Sequence, residues 1–188
     1  MSEPRAGSRI EIVLVAAVAD NGVIGRGGAL PWRLKSDLQR LREITWGKPV
    51  VVGRTTFLSF TRKPLPGRTN IVLSRSGSFA APGVLVASRL DAALEAARGD
   101  ALRRGVATII VLGGAAVYTQ TMFIADRLLI TRVHLQANGD TSFPPIDPHV
   151  WAETERSEHR AEPEDDASYT MVAYERRATP DALPQGRR

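Results

Sequence analysis

Asp37 is a carboxylate standing where a helix would bury leucine. With Leu34 set at 0° and about 100° per residue, Leu38, Leu41 and Ile44 fall at about +40°, −20° and −80°, and Asp37 at about −60°. Lys35, Gln39, Arg42 and Glu43 take the other side. A carboxylate on a burying face is costly unless something meets it, so Asp37 is a candidate for gripping a polar ligand or for acid–base work. The alternative is a carboxylate bonded to a nearby backbone amide, or capping the helix whose start Pro31 announces. Position alone weighs the two equally.

The preceding segment tips the balance. Asp20 to Leu30 (DNGVIGRGGAL) is a long glycine-rich loop running from an apolar strand into that helix. In open α/β sheets such loops lie over the carboxyl edge of the strands, where ligands bind, and they often act as lids. Pro31-Trp32 then places a fixed φ and a large ring with one N–H donor at the loop's end. Two strand-to-helix junctions offer anion sites: Gly53 into Arg54-Thr55-Thr56, and Gly113-Gly114 into Ala115-Ala116-Val117-Tyr118. Neither matches G-x-G-x-x-G or a phosphate-binding P-loop. Ser74-Arg75-Ser76 follows another strand; alone it reads better as an exposed turn.

These residues need a scaffold, and the chain's pattern supplies one. Ile10 to Val18 is an almost unbroken apolar run, the mark of a central strand buried on both faces. Shorter runs at Val50–Val52, Ile71–Leu73, Val84–Val86 and Thr108–Leu112 alternate with helix-period segments, which means a largely parallel, helix-covered sheet. One helix is expected to start at Ser88, with Ser88 as cap and Asp91 at its third position. After Leu128–Val133, two period-two segments, Trp151–Arg160 and Ser168–Arg176, flank an acidic turn and read as an antiparallel hairpin. About eight strands and about four helices fit the length.

Composition bounds the chemistry. The 188 residues are 43% hydrophobic and 24% charged, as in an ordinary globular domain. With no cysteine and three scattered histidines, disulfides, thiolate metal sites and a cysteine nucleophile are excluded, and no metal site is expected. No run approaches the roughly 18 apolar residues of a membrane span, so a cytoplasmic location is expected. Net charge is +5, with +10 concentrated in residues 26–104 and −6 in residues 105–176. A basic stretch raises a non-catalytic anion- or RNA-binding module as a competing class. Its charges occur singly, without interleaved aromatic platforms, so no nucleic-acid partner is expected.

From Ile10 to Arg177, in order and with few length changes, the chain resembles the chromosomal-type dihydrofolate reductases. VAAVADNGVIG, LPW with Asp37 five residues on, KPVVVGRTTF, PLPGRTNIVLS, VLGGAAVY, LLITRV, GDTSFP and a closing YERR carry the likeness. Riboflavin-pathway reductases share the fold but are not expected to show LPW followed by this Asp. The resemblance implies an α/β single-domain, three-layer fold over residues 10–177. It would have a mixed, mostly parallel eight-stranded sheet, about four helices and a C-terminal antiparallel hairpin, with residues 1–9 and 178–188 as tails. It also implies a monomer that reduces 7,8-dihydrofolate with NADPH and binds antifolate inhibitors.

Residue by residue, the resemblance places Arg54, Ser74 and Arg75 near the 2′-phosphate of NADPH, with Leu73 and Ala87 also among the cofactor-binding residues. Gly53, Thr55, Thr56, Gly113, Gly114, Ala115, Ala116, Val117, Tyr118 and Gln120 would cradle the pyrophosphate and nicotinamide ribose. In the family the two glycines matching Gly113 and Gly114 are joined by a cis peptide. Ala17 and the loop of Val23, Ile24, Gly25, Arg26, Gly27, Gly28 and Ala29 would cover the nicotinamide. Asp37 would accept hydrogen bonds from the pterin, with Thr131 bonded to the carboxylate. Val15, Ala16, Leu30, Leu38, Leu41, Phe60, Leu65, Leu112 and Tyr118 would line the substrate pocket. Arg68 would grip the substrate's glutamate carboxylate, with Arg42 and Arg62 supporting it. Catalysis would rest on Asp37, Trp32, Thr131 and Leu30, water near Trp32 supplying the proton, and Asp140 would hold the loop closed. Ala115 stands for a third glycine, and Leu41 and Leu30 for the Phe and Met of some relatives.

Overall fold

The structure is a computed structural model and describes residues 9–178. Residues 1–8 and 179–188 of the expected tails lie outside the described residues. The apolar run at the start forms strand β1 (Glu11–Ala19), whose residues from Ile12 to Ala16 are buried without alternation. Parallel neighbours on both sides explain this: Leu14 sits opposite Val111 of β6 (Thr108–Val111) and Leu128 of β7 (Arg127–Val133).

With β2 (Val23–Gly25), β3 (Pro49–Gly53), β4 (Thr69–Leu73), β5 (Val84–Ala87), β8 (Thr141–Ser142), β9 (Trp151–His159) and β10 (Tyr169–Arg176), the strands build two sheets. The main one has eight strands in the order β5-β4-β3-β6-β1-β7-β10-β9, parallel up to β7 and antiparallel through the C-terminal hairpin. The period-two pattern of the last two segments does form that hairpin. No alternation in burial follows on β9, whose residues Glu153 to Glu158 are all exposed at the sheet edge. Its charges there discourage further strand pairing.

Alternation along the buried strands divides the helices between the faces. Val13, Val15, Val50, Val52 and Ile110 pack with Phe57 of α2 (Arg54–Ser59) and with Leu41 and Ile44 of α1 (Lys35–Thr45). Ile12, Leu14, Val51, Ile109 and Val111 pack with α3 (Leu90–Arg104) and with Val117 and Tyr118 of α4 (Ala115–Thr121). The result is three layers.

Two helix starts differ from expectation. α3 begins at Leu90 with Arg89 at the N-cap, and no side chain caps it, so Ser88 has no such role. Asp91 is the second helical residue, and its carboxylate accepts from the Ala92 amide at 2.9 Å and from the Arg89 guanidinium. α1 begins four residues after Pro31, because Leu34 is extended (φ −137°) and forms an isolated bridge to Asp165.

The glycine-rich loop is more ordered than a plain connection. β2 pairs with β8, and Arg26 and Ala29 exchange backbone hydrogen bonds of 2.8 and 3.1 Å around Gly27 and Gly28. Both glycines have positive φ, 56° and 86°, the requirement of a tight two-residue hairpin turn. No helix among the described residues is long and apolar enough to cross a membrane.

Candidate active site

The stripe that carries Asp37 faces a cleft rather than the core. Along α1 only Thr45 is fully buried, and Leu38 is 54% exposed. Leu38, Leu41, Asp37 and Arg40 line one end of a cavity of about 980 Å³ that runs along the carboxyl edge of the sheet. Its floor is Val15, Ala16 and Ala17 of β1 with Leu112 and Leu129. Ile24, Gly25, Gly28, Ala29 and Leu30 of the glycine-rich loop wall one side, with Phe60 opposite the leucines.

Asp37 meets neither a backbone amide nor a cap. Its Oδ1 accepts a hydrogen bond of 2.6 Å from the hydroxyl of buried Thr131 on β7. Burial pushes the Asp37 carboxyl above its usual range; the Thr131 hydroxyl and the charge of Arg40 pull it down, and the charge of Asp165 raises it. A proton or a hydrogen-bond donor on a ligand answers that burial.

The other end of the cleft is basic. Arg54 and Arg75 are exposed at its rim, and buried Ser74 and half-buried Ser76 lie between them and the sheet. Gly53 and Gly114, the N-caps of α2 and α4, lie side by side on the cleft wall. A Cβ on Gly114 would stand 2.9 Å from Thr56 Oγ1, and one on Gly53 would press on Val117 at 3.3 Å. A side chain at either position would crowd these neighbours. The Gly113–Gly114 bond is cis, as is Lys63–Pro64. Tyr118 closes the floor, its hydroxyl donating to the Val15 carbonyl at 2.6 Å, and burial pushes its phenol up.

Several expected site residues stand off the cavity wall. Trp32 is buried among Ala19, Val23, Leu34, Val133 and Tyr169, and its indole N–H has no protein partner. Val23 belongs to the same cluster, while Arg26 and Gly27 occupy the exposed loop tip. Gly113 lies behind Gly114, its carbonyl accepting from the Gly53 amide at 2.6 Å. Ala87 sits on β5, where its carbonyl holds the Ser74 amide at 2.9 Å. Gln120 bonds to the Ala116 carbonyl of its own helix. Leu65 packs into the core beneath the cavity.

The basic residues beyond Phe60 form a separate cluster outside the cavity wall. Arg68 donates to Thr45 Oγ1 at 2.8 Å, to the Pro66 carbonyl at 2.9 Å and to the Arg42 carbonyl at 3.0 Å, so its plane is fixed. Two of its five N–H groups remain free of these bonds. Arg42 and Arg68 both lie over the Trp46 ring, 5.4 and 5.5 Å from its centroid. Arg62 is exposed in the bend before Pro64, and the Lys63 ammonium is taken by the Leu58 and Phe60 carbonyls.

Sequence reasoning assigned no site role to Arg40, Ile44, Ser59, Thr61, Leu129 and Thr141, all of which line the cavity, and weighed Ser76, which also lines it, as an exposed turn. Arg40 was within reach, since three residues on from Asp37 a helix returns to within about 60° of the same side. The Asp140 contact was anticipated. Its Oδ2 accepts from the Gly27 amide at 2.8 Å and its own amide donates to Gly25 at 3.0 Å, tying the loop to β8. Among the described residues no group of three or more His, Cys, Asp or Glu side chains is placed to hold a metal ion.

A mostly parallel sheet with a long cleft across its carboxyl edge, a half-buried carboxylate at one end and guanidiniums at the other, is an α/β fold with its candidate site where such sheets bind ligands. A family model described as dihydrofolate reductase matches residues 11–176, and the chain belongs to the dihydrofolate reductase family. It is 43% identical over 165 residues to the dihydrofolate reductase of Neisseria meningitidis serogroup A, covering 88% of this chain and 98% of that one. It is 42% identical over the same length to dihydrofolate reductase type 3 of Salmonella typhimurium, with the same coverage. The fold superposes with a TM-score of 0.81 on a dihydrofolate reductase from Enterococcus faecalis complexed with NADP(H) and RAB-propyl. That structure is 30% identical, over 90% of this chain and 98% of that one.

Proposed function

We propose that this protein reduces 7,8-dihydrofolate to 5,6,7,8-tetrahydrofolate with NADPH, supplying tetrahydrofolate for one-carbon transfer. The observation that carries the reading is Asp37: a carboxylate raised by burial, steadied by Thr131 at 2.6 Å and open to the leucine-lined end of the cleft. A flat heterocycle bearing adjacent N–H donors satisfies it, and Leu38, Leu41 and Phe60 offer the ring its faces.

The residues at the other end fit NADPH. Arg54 and Arg75 with Ser74 suit a dianionic 2′-phosphate, and the bare backbone at Gly53 and Gly114 admits a pyrophosphate between two helix starts. When bound, NADPH supplies the hydride from nicotinamide C4. The chain aligns the acceptor ring through Asp37, keeps water out with Leu30 and the loop, and holds that loop through Asp140. Asp37 orients and polarises the ring. The proton for N5 comes through water steadied by the buried, otherwise unpartnered indole N–H of Trp32.

Arg68, with its plane fixed by three acceptors, presents its remaining donors to the carboxylate of the substrate's glutamate tail; Arg42 and Arg62 add charge at that mouth. Both ends of the cleft come from one chain, and the proposed enzyme acts as a cytoplasmic monomer. The same pocket would take antifolate inhibitors. Mixing the protein with dihydrofolate and NADPH is expected to bleach the nicotinamide absorbance; no bleaching beside an active control enzyme would overturn the reading. A riboflavin-precursor reductase is excluded in the same assay if that substrate fails.

A further inference from the structure

α1 carries Asp37 in its first turn, yet its N-cap residue is Leu34, which has no capping side chain. The cap comes from 129 residues away. Asp165, in the acidic turn between β9 and β10, accepts from the Ser36 amide at 3.2 Å through Oδ1 and from the Ser36 hydroxyl at 2.6 Å through Oδ2. The Ser36 hydroxyl also meets the Tyr169 hydroxyl at 2.8 Å. On either side the contact is reinforced. Arg33 donates its amide to Asp166 Oδ2 at 2.7 Å and accepts from the Asp166 amide at 2.9 Å, while Lys35 pairs with Glu164.

We propose that Asp165 is a positioning residue for Asp37, clamping the first turn of α1 to the C-terminal hairpin so that the next side chain, Asp37, is held against Thr131. The inference rests on the functional reading given above. Ser36 is the residue directly before Asp37, so a carboxylate that fixes both the Ser36 amide and its hydroxyl removes the freedom by which the first turn would fray. The same carboxylate adds negative charge beside Asp37. The charged groups around Asp37 are Arg40 on its own helix, which favours its ionised form, and Asp165 on the turn, which opposes it. Lys35 and Glu164 neutralise each other nearby, Asp166 is spent on the Arg33 amide, and the β7 neighbour Thr131 is uncharged. Asp165 therefore both holds Asp37 and favours its protonated form.

Two variants separate holding from charge. Asp165→Asn keeps one acceptor oxygen and removes the charge; Ser36→Ala keeps the charge and removes the hydroxyl. Carboxyl-carbon NMR of the ligand-free protein, with Asp37→Asn to assign the resonance, follows the protonation of Asp37 directly. In Asp165→Asn its midpoint is expected to move to lower pH, and in Ser36→Ala to stay in place. Both variants are expected to lose about fivefold in kcat/KM for dihydrofolate, the size of one lost cap. A midpoint unmoved or raised in Asp165→Asn, or wild-type kcat/KM in Ser36→Ala, overturns the proposal. Wild-type turnover in Asp37→Asn overturns the functional reading instead, and the NMR midpoint then decides the role of Asp165 by itself.

Discussion

The hydroxyl of Thr131 donates to Asp37 Oδ1 over 2.6 Å, joining β7 to the first turn of α1 across 94 residues of chain. The bond satisfies one carboxylate oxygen and leaves the other to the cleft. A half-buried carboxylate with a single protein donor is an incomplete site, stable enough to form and unsatisfied enough to select its ligand.

Asp37→Asn tests this directly. Burial raises the Asp37 carboxyl above its ordinary value of 3.8, so ionising it weakens the folded, ligand-free state. The stability it contributes is whole below that ordinary value and is lost as pH rises through the higher folded-state value. Asn at this position is therefore expected to raise Tm at neutral pH, each 1 kcal/mol of relief giving about 2–4 °C in a domain of this size, with the difference closing below pH about 4. Turnover should fall by roughly a hundredfold or more. Calorimetry at the two pH values, beside steady-state rates, checks both halves.

Gly113→Ala should damage the floor of the cleft. Gly113 has φ +87°, and a Cβ there would stand 2.6 Å from the Tyr118 ring, whose hydroxyl holds the Val15 carbonyl. The expected loss is about 2–4 kcal/mol from the positive φ and the overpacking together. Urea denaturation measures it, and an unchanged midpoint would contradict the packing.

The loop depends on Asp140 and on the bareness of its neighbour. Asp140→Ala removes the acceptor for the Gly27 amide and should slow hydride transfer by about threefold to tenfold, read in single-turnover experiments. Gly139→Ala is expected to be harsher, because its Cβ would lie 2.4 Å from the Gly25 carbonyl oxygen and must push the loop outward.

Choice of cofactor should follow the two arginines at the rim. Arg75→Ala is expected to raise KM for NADPH by about tenfold, the value of one charge-assisted contact, and to leave KM for NADH unchanged. Equal effects on both cofactors would move the 2′-phosphate elsewhere.

Much of this molecule was legible in one dimension. The unbroken run of β1, the strand–glycine–helix junctions at Gly53 and Gly114, and the late hairpin each follow from local periodicity and from where glycine alone fits. The odd placement of Asp37 was visible too. Less legible were the helix starts: Ser88 and Pro31 carry the usual signals, yet Arg89–Asp91 and the pairing of Arg33 and Leu34 with the acidic turn displaced both.

The sequence by itself determined a mostly parallel α/β sheet, a carboxylate out of place on an apolar stripe, and a guanidinium-rich segment able to hold anions, because side-chain type and period are properties of the chain. Residue type and period left open what the stripe faces and what answers Asp37; the family resemblance implied a pocket and Thr131, the tertiary structure bears both out, and it alone decided that Asp165 caps a helix lacking a cap of its own. Those contacts span 94 and 129 residues, and no local period encodes which distant side chain a fold will bring to a carboxylate.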